Sequence, residues 1–289
     1  MNNAALYLAT VLIWGSTWFA IRLQLVGIAP AVSIVWRFLL AAAMLLAYAL
    51  LRRLPLRFTA RTHLRIAVQG LFLFCTNYIF AYEAEVSLPS GIVAVVFSLV
   101  PIGNALGMRL FLRQPTHPRT VIGAIVGVSG VALLFWPDLE RFAAGGGMPA
   151  GLVAALLGSA SASVGNLLSA SNQRRGLPVL QVNCWAMFYG ALATAAFAAV
   201  SGQHFAFMPT ASYVLSLMYL ALFGSVIAFG AYLTLLGRVG ADRGAYVLVM
   251  APVVALGLSS LLEGLHWTPL MWVGVGMGIV GNVLVMRRS

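Results

Sequence analysis

Apolar runs of membrane-crossing length recur along the whole chain, at residues 4–24, 31–51, 65–86, 90–112, 119–136, 149–172, 178–200, 211–236, 243–263 and 269–286. Each is near the roughly 20 residues that carry an α-helix across a bilayer. The separators are short and marked by Pro30, Pro55, Pro89, Pro115 with Pro118, Gly145-Gly146-Gly147, Pro178, Pro209 and Pro269. No connection is long enough for a separate soluble domain. The expected fold class is an all-α membrane protein with ten transmembrane helices. The first run follows Met1-Asn2-Asn3, which carries no side-chain positive charge, so it reads as a retained helix rather than a signal peptide.

Composition agrees. Of 289 residues, 62% are hydrophobic and 8% charged, against about 25% charged in a soluble domain. That excludes an ordinary soluble enzyme and a disordered chain. The net charge of +11 does not indicate nucleic-acid binding, because position explains it. All 17 basic residues are arginines. Arg52, Arg53, Arg57, Arg61, Arg65, Arg109, Arg113, Arg119, Arg174, Arg175, Arg238, Arg243, Arg287 and Arg288 fall on the even-numbered connections and the tail. Only Arg22 and Arg141 lie on the other side, and Arg37 is within the second span. The acids lean the opposite way: Glu83, Glu85, Asp138, Glu140 and Glu263 oppose a single Asp242. This bias predicts that both termini face the cytoplasm. Cys75 and Cys184 lie inside apolar runs and read as buried small hydrophobes, not a disulfide.

The halves match at a fixed offset of 151 positions. It takes Pro101 to Pro252, Pro118 to Pro269, Gly123 to Gly274, Gly127 to Gly278 and Gly130 to Gly281. Ala81-Tyr82 recurs as Ala231-Tyr232, one position short. The expected organisation is a first five-helix repeat at 1–144 and a second at 145–289, together one transport domain. Five spans is an odd number, so the copies insert with opposite orientation, as in carriers that alternate access around a midplane site. Pro101 and Pro252 sit mid-span and should kink their helices. The glycine runs of spans five and ten read as packing scaffold.

These features resemble a known family. Trp14-Gly15-Ser16, Arg37-Phe38, Ala84-Glu85 leading to Pro89-Ser90-Gly91, the prolines 101 and 252 and the glycine runs, in that order, are similar to the EamA-like branch of the drug/metabolite transporter superfamily. The resemblance covers the full chain. It implies export of small metabolites, amino acids among them, across the inner membrane. One departure is visible. The family often carries an acidic residue just after the fourth span, where this chain reads Arg113-Gln114, whereas the second half keeps Glu263.

Helical spacing picks out the pathway candidates. Trp14 and Trp18 are four apart in the first span. Phe74, Asn77, Tyr78, Tyr82 and Glu85 share a stripe of the third, and Ser163 and Asn166 one of the sixth. Tyr232 and Tyr246 lie in spans eight and nine. Each has a blander reading. Serines serve as helix–helix glue, and tryptophans pack cores. Arg37 is the one charge deep in a span and should pair with Glu85, as a gate or as a site for a substrate's charged ends. No Asp, Glu, Lys or His lies mid-span. That disfavours phosphorylated substrates and drug cations. It fits an aromatic, weakly polar cavity for a neutral or aromatic amino acid, moved down its gradient.

Two other functions compete. Gly127-Val128-Ser129-Gly130 resembles an intramembrane serine protease motif, but the histidines His63, His117, His204 and His266 lie in loops or at span edges, out of a base's reach. A passive channel is the other alternative. No cofactor and no metal is expected. The expected partners are a small-molecule substrate and the lipid bilayer, not nucleic acid. Because the repeat is internal, a single monomer can form the whole pathway.

Overall fold

The computed structural model describes residues 2–112, 118–134, 136, 149–239 and 246–286, and every element among them is helical. Six helices are long and apolar enough to cross a bilayer: Asn3–Arg22, Pro30–Leu51, Ala60–Ser87, Ala150–Arg174, Val179–Val200 and Ala211–Tyr232. Shorter apolar helices within Ser90–Asn104, Val121–Leu133, Met250–Leu262 and Pro269–Gly281 supply spans four, five, nine and ten. The ends follow local chemistry. Pro30 opens the second span at its first turn, where a missing N–H costs nothing. Thr59 and Thr210 cap the third and eighth spans by accepting from the Thr62 and Tyr213 amides. Gly176, Gly202 and Gly264 follow spans six, seven and nine at positive φ, a backbone that glycine adopts without steric cost.

The packing is symmetric under exchange of the halves. Span one packs on nine, and six on four. Span three packs on six and seven, and eight on one and two. Pairs two with seven, four with nine and five with ten map onto themselves. This is the two-repeat membrane fold. The glycine runs do act as scaffold. A Cβ at Gly130 would lie 2.5 Å from the Gly274 carbonyl oxygen, and one at Gly281 would lie 2.5 Å from the Gly127 nitrogen. The outer surface is apolar, with Leu8, Leu110, Val200 and Leu261 exposed. Lipid tails meet such side chains without the penalty water would impose.

Two features depart from the sequence reading. Pro101 and Pro252 behave differently. The fourth span divides into Ser90–Phe97 and Val100–Leu112, just before Pro101, whereas Pro252 lies inside the continuous helix Tyr246–Leu262. Also, spans three and eight each pass through a π-helical turn, at Leu71–Thr76 and Leu220–Ile227. Hydrophobic periodicity does not distinguish α from π turns, so these were invisible in the pattern. Such turns often accompany functional sites.

Candidate functional site

Arg37 sits where the halves meet. It leaves the second span seven residues after Pro30, about 10 Å along the helix, and is 2% exposed. Its Nε donates to Ser225 Oγ at 3.2 Å, on the eighth span, and its Nη2 reaches Tyr78 Oη at 3.5 Å, on the third. The guanidinium carbon lies 4.7 Å from the Tyr78 ring centre and 5.3 Å from that of Phe38, within cation–π range. Nη1 has no hydrogen-bond partner. The π turn makes this contact possible. Ser225 Oγ bonds back to the Leu220 carbonyl five residues earlier, at 3.0 Å. Gly224 leaves room beside it, since a Cβ there would lie 3.3 Å from Arg37 Nη2 and 2.8 Å from Thr17.

A chain of rings crosses both halves. Trp14 lies 4.9 Å from Tyr232 and 5.2 Å from Phe229, and its Nε1 donates to the Gly224 carbonyl at 3.2 Å. Phe229 lies 5.5 Å from Phe74, Phe74 5.2 Å from Phe38, and Phe38 4.6 Å from Tyr78. Trp18 stands apart, 4.9 Å from Phe97. Asn77 donates to the Leu73 carbonyl at 3.1 Å, while its Oδ1 is buried without a partner. The sequence predicted a hollow lined by these groups. Instead Phe38, Phe74 and Tyr82 are fully buried, and rings from both halves close on one another. A small depression does lie between spans four, nine and ten, lined by Val95, Ser98, Pro252, Val253, Val275, Gly278 and Ile279. It is away from this centre.

Other expected residues are placed differently. Ser163 Oγ donates to the Ser159 and Val100 carbonyls at 3.0 and 3.2 Å, against Gly103. Its hydroxyl is spent on joining spans six and four, so it belongs to a helix contact and not to a cavity wall. Asn166 is half-buried on the sixth span. Tyr82 donates to Gln24 Oε1 at 3.1 Å. The backbone of Tyr246 opens the ninth span, but its side chain lies outside the described residues.

The expected Arg37–Glu85 pair is not hydrogen-bonded. Glu85 is 0% exposed, and neither carboxylate oxygen has a partner. Seven residues, about 10 Å of helix, separate Glu85 from Tyr78, where the guanidinium is held. Glu85 nonetheless lies within electrostatic reach of Glu263, Arg22 and Arg37. Around it the arginine-poor end is closed by bonds that sequence reading missed. Arg22 Nη1 donates to the Glu85 and Leu88 carbonyls. Glu263 accepts from Ser90, and the Ser33 and Tyr213 hydroxyls meet at 3.0 Å. These partners are ordinary polar residues at span ends, and only the tertiary contact distinguishes them.

The EamA-like transporter family matches residues 2–136 and again residues 149–287. The chain belongs to this family. The inner membrane transporter YedA of Escherichia coli K12, itself described as uncharacterized, is 32% identical over 96% of this chain and 88% of its own. Protein PecM of Dickeya dadantii is 27% identical over 96% and 89%. A probable terminal-alkyne amino-acid exporter of Streptantibioticus cattleyicolor is 27% identical over 97% and 92%. A solved crystal structure superposes with a TM-score of 0.69 at 20% identity, covering 98% of this chain and 95% of the other, and shows the shared fold. The protein is therefore a multi-pass membrane transporter. EamA-like proteins are transporters and not enzymes, which removes the protease reading of Ser129. Its run is a packing surface, with Gly127 and Gly130 against the tenth span.

Proposed function

We propose that this transporter exports small amphipathic metabolites, neutral and aromatic amino acids first among them, by alternating access. In this reading a monomer suffices, and the arginine-rich end with both termini faces the cytoplasm. One observation carries the proposal. Arg37 is a buried guanidinium that touches both halves, is walled by aromatic rings and keeps one nitrogen unpartnered. Burying an arginine is costly, and leaving a donor unmade adds to the cost. A substrate carboxylate would satisfy Nη1, while the rings of Trp14, Phe74, Tyr78 and Tyr232 would take an apolar side chain. Asn77 Oδ1, buried without a partner, is an acceptor for an ammonium group. The amino-acid exporter among the relatives supports this class of substrate. With no ionisable acid mid-span, we expect transport to run down the substrate gradient.

The test is counterflow in liposomes over a panel of amino acids and their esters and amines. Saturable exchange with aromatic amino acids, lost on esterifying the carboxylate, is expected. Equal transport of the free acid and its ester would refute recognition by Arg37, and strict dependence on a pH gradient would refute gradient-driven export. Linear flux without competition would indicate a channel.

A further inference from the structure

Leu88, Pro89 and Ser90 turn the third span into the fourth. Helix ends leave backbone groups without internal partners, and here two ends fall within three residues. Pro89 holds the N-cap position of the fourth span and supplies no side-chain cap. The cap comes from the other half. Glu263, next after the last helical residue Leu262, accepts from the Ser90 amide at 2.9 Å and from the Ser90 hydroxyl. Ser259 Oγ donates to the same carboxylate at 3.1 Å. From the opposite side, Arg22 at the end of the first span donates through Nη1 to the carbonyls of Glu85 and Leu88. The signs suit the helix ends: a carboxylate at an N-terminus and a guanidinium at a C-terminus.

The grip is tight. Ser90 and Ser259 are fully buried. A Cβ on Gly91 would come within 2.8 Å of Leu256 and 2.9 Å of Ser259. Spans one and nine, which carry the two gripping residues, pack on each other at Gly15, where a Cβ would lie 2.5 Å from Val254. Parting them from the turn must therefore break the Arg22 and Glu263 bonds. Yet the sequence offers no matching carboxylate after the fourth span. Moving Glu263 back by 151 positions gives Leu112, followed by Arg113-Gln114.

We propose that Arg22 and Glu263 form a latch on the Leu88–Ser90 turn that keeps the arginine-poor end closed, and that the missing carboxylate after the fourth span makes this closure one-sided. The resting carrier is then shut toward the outside. This rests on the alternating-access reading above. Arg22 and Glu263 are positioning residues that set which states the carrier occupies.

The test is labelling of a cysteine below the latch, Tyr82→Cys, in full-length protein with Cys75→Ala and Cys184→Ala. An impermeant maleimide is applied to right-side-out and inverted vesicles. The parent should label slowly from the arginine-poor side. Adding Glu263→Gln or Arg22→Gln should each speed that labelling by about tenfold, as expected for losing one charge-assisted contact. Ser90→Ala keeps the hydrogen bond from the backbone N–H to Glu263 and should give a smaller rise, about twofold to threefold. Glu263→Asp tests the charge with the fold intact and should stay nearest the parent. Ser260→Ala removes the acceptor of Trp267 Nε1 and the hydroxyl's own bond to the Leu256 carbonyl, touches neither Arg22 nor Glu263, and should leave the labelling rate unchanged. Parent-like rates in both Gln variants would overturn the latch, as would an equal rise in Ser260→Ala. If the alternating-access reading fails instead, saturable flux is absent from every variant while the labelling differences remain.

Discussion

The third and eighth spans begin at matching caps, Thr59 and Thr210, pass through π turns at Leu71–Thr76 and Leu220–Ile227, and carry tyrosines 150 positions apart, Tyr82 and Tyr232. The same shift sets Asn77 against Ile227, Tyr78 against Ala228 and Glu85 against Leu235. Leu235 is 2% exposed and needs nothing but packing. Glu85 is 0% exposed, and its carboxylate oxygens are unpartnered. A buried carboxylate costs several kcal/mol more than a well-packed hydrophobe, so stability does not account for Glu85. The two halves share a scaffold, but polar chemistry has been added to one of them. The eighth span contributes the complement: the small residues Gly224 and Ser225 make room for Arg37 and receive its Nε.

The strongest way to break this comparison is at the residue that spans it. Arg37→Ala should abolish amino-acid counterflow, a fall of about 100-fold from losing roughly 2–5 kcal/mol of buried charged contact. Arg37→Lys keeps the charge but not the fork and should lose about tenfold. Near-normal flux in Arg37→Ala protein that inserts and purifies normally would remove Arg37 from the site.

Glycine substitutions probe the scaffold directly. A Cβ on Gly70 would lie 2.3 Å from the Ala186 carbonyl oxygen, whereas one on Gly230 has open space. Gly70→Ala should therefore cost about 1–3 kcal/mol of overpacking strain, and Gly230→Ala should leave the melting temperature nearly unchanged. Equal melting temperatures for the two variants would mean that the interface of spans three and seven yields more readily than its contacts imply.

Exchanging chemistry between the halves should separate stability from function. Glu85→Leu copies Leu235 and should stabilise the protein by up to about 1–4 kcal/mol, while counterflow falls several-fold. A variant that is both stabilised and fully active would make Glu85 dispensable. Ser225→Ala should cost about 1.5–3 kcal/mol through its bond to a charged group, with a smaller loss of flux than Arg37→Ala. The least change is expected from Ser163→Ala, whose hydroxyl joins spans six and four. A cost of about 1 kcal/mol is expected there, with flux retained. A substrate-specific loss of flux would return Ser163 to the pathway.

Much of the scaffold was legible because each feature leaves a local mark. Twenty-residue apolar runs must be helices in lipid, where backbone groups have no other partner. Glycine at positions 130 and 281 marks close backbone approach, since a Cβ there would intrude on the backbone of the partner helix. The site was legible only in part. Arg37, Tyr78, Asn77 and Trp14 were visible as costly or amphipathic residues within spans. Ser163 sat on a helical stripe just as plausible, and only its bonds to carbonyls across the contact show it to be glue. The difference between Pro101 and Pro252 was not readable either. A missing N–H weakens both helices alike, and the surrounding packing decides whether the chain breaks.

By itself, the sequence determined ten helices, their pairing into two copies and the positions where charge would be expensive, because those follow from local composition and period. Only the tertiary structure decided that Arg37 turns to Ser225 and not to Glu85, that two π turns frame the centre, and that Glu263 caps a helix of the other half. Those outcomes depend on distances between residues up to 188 positions apart along the chain, and no pattern along a single helix encodes such distances.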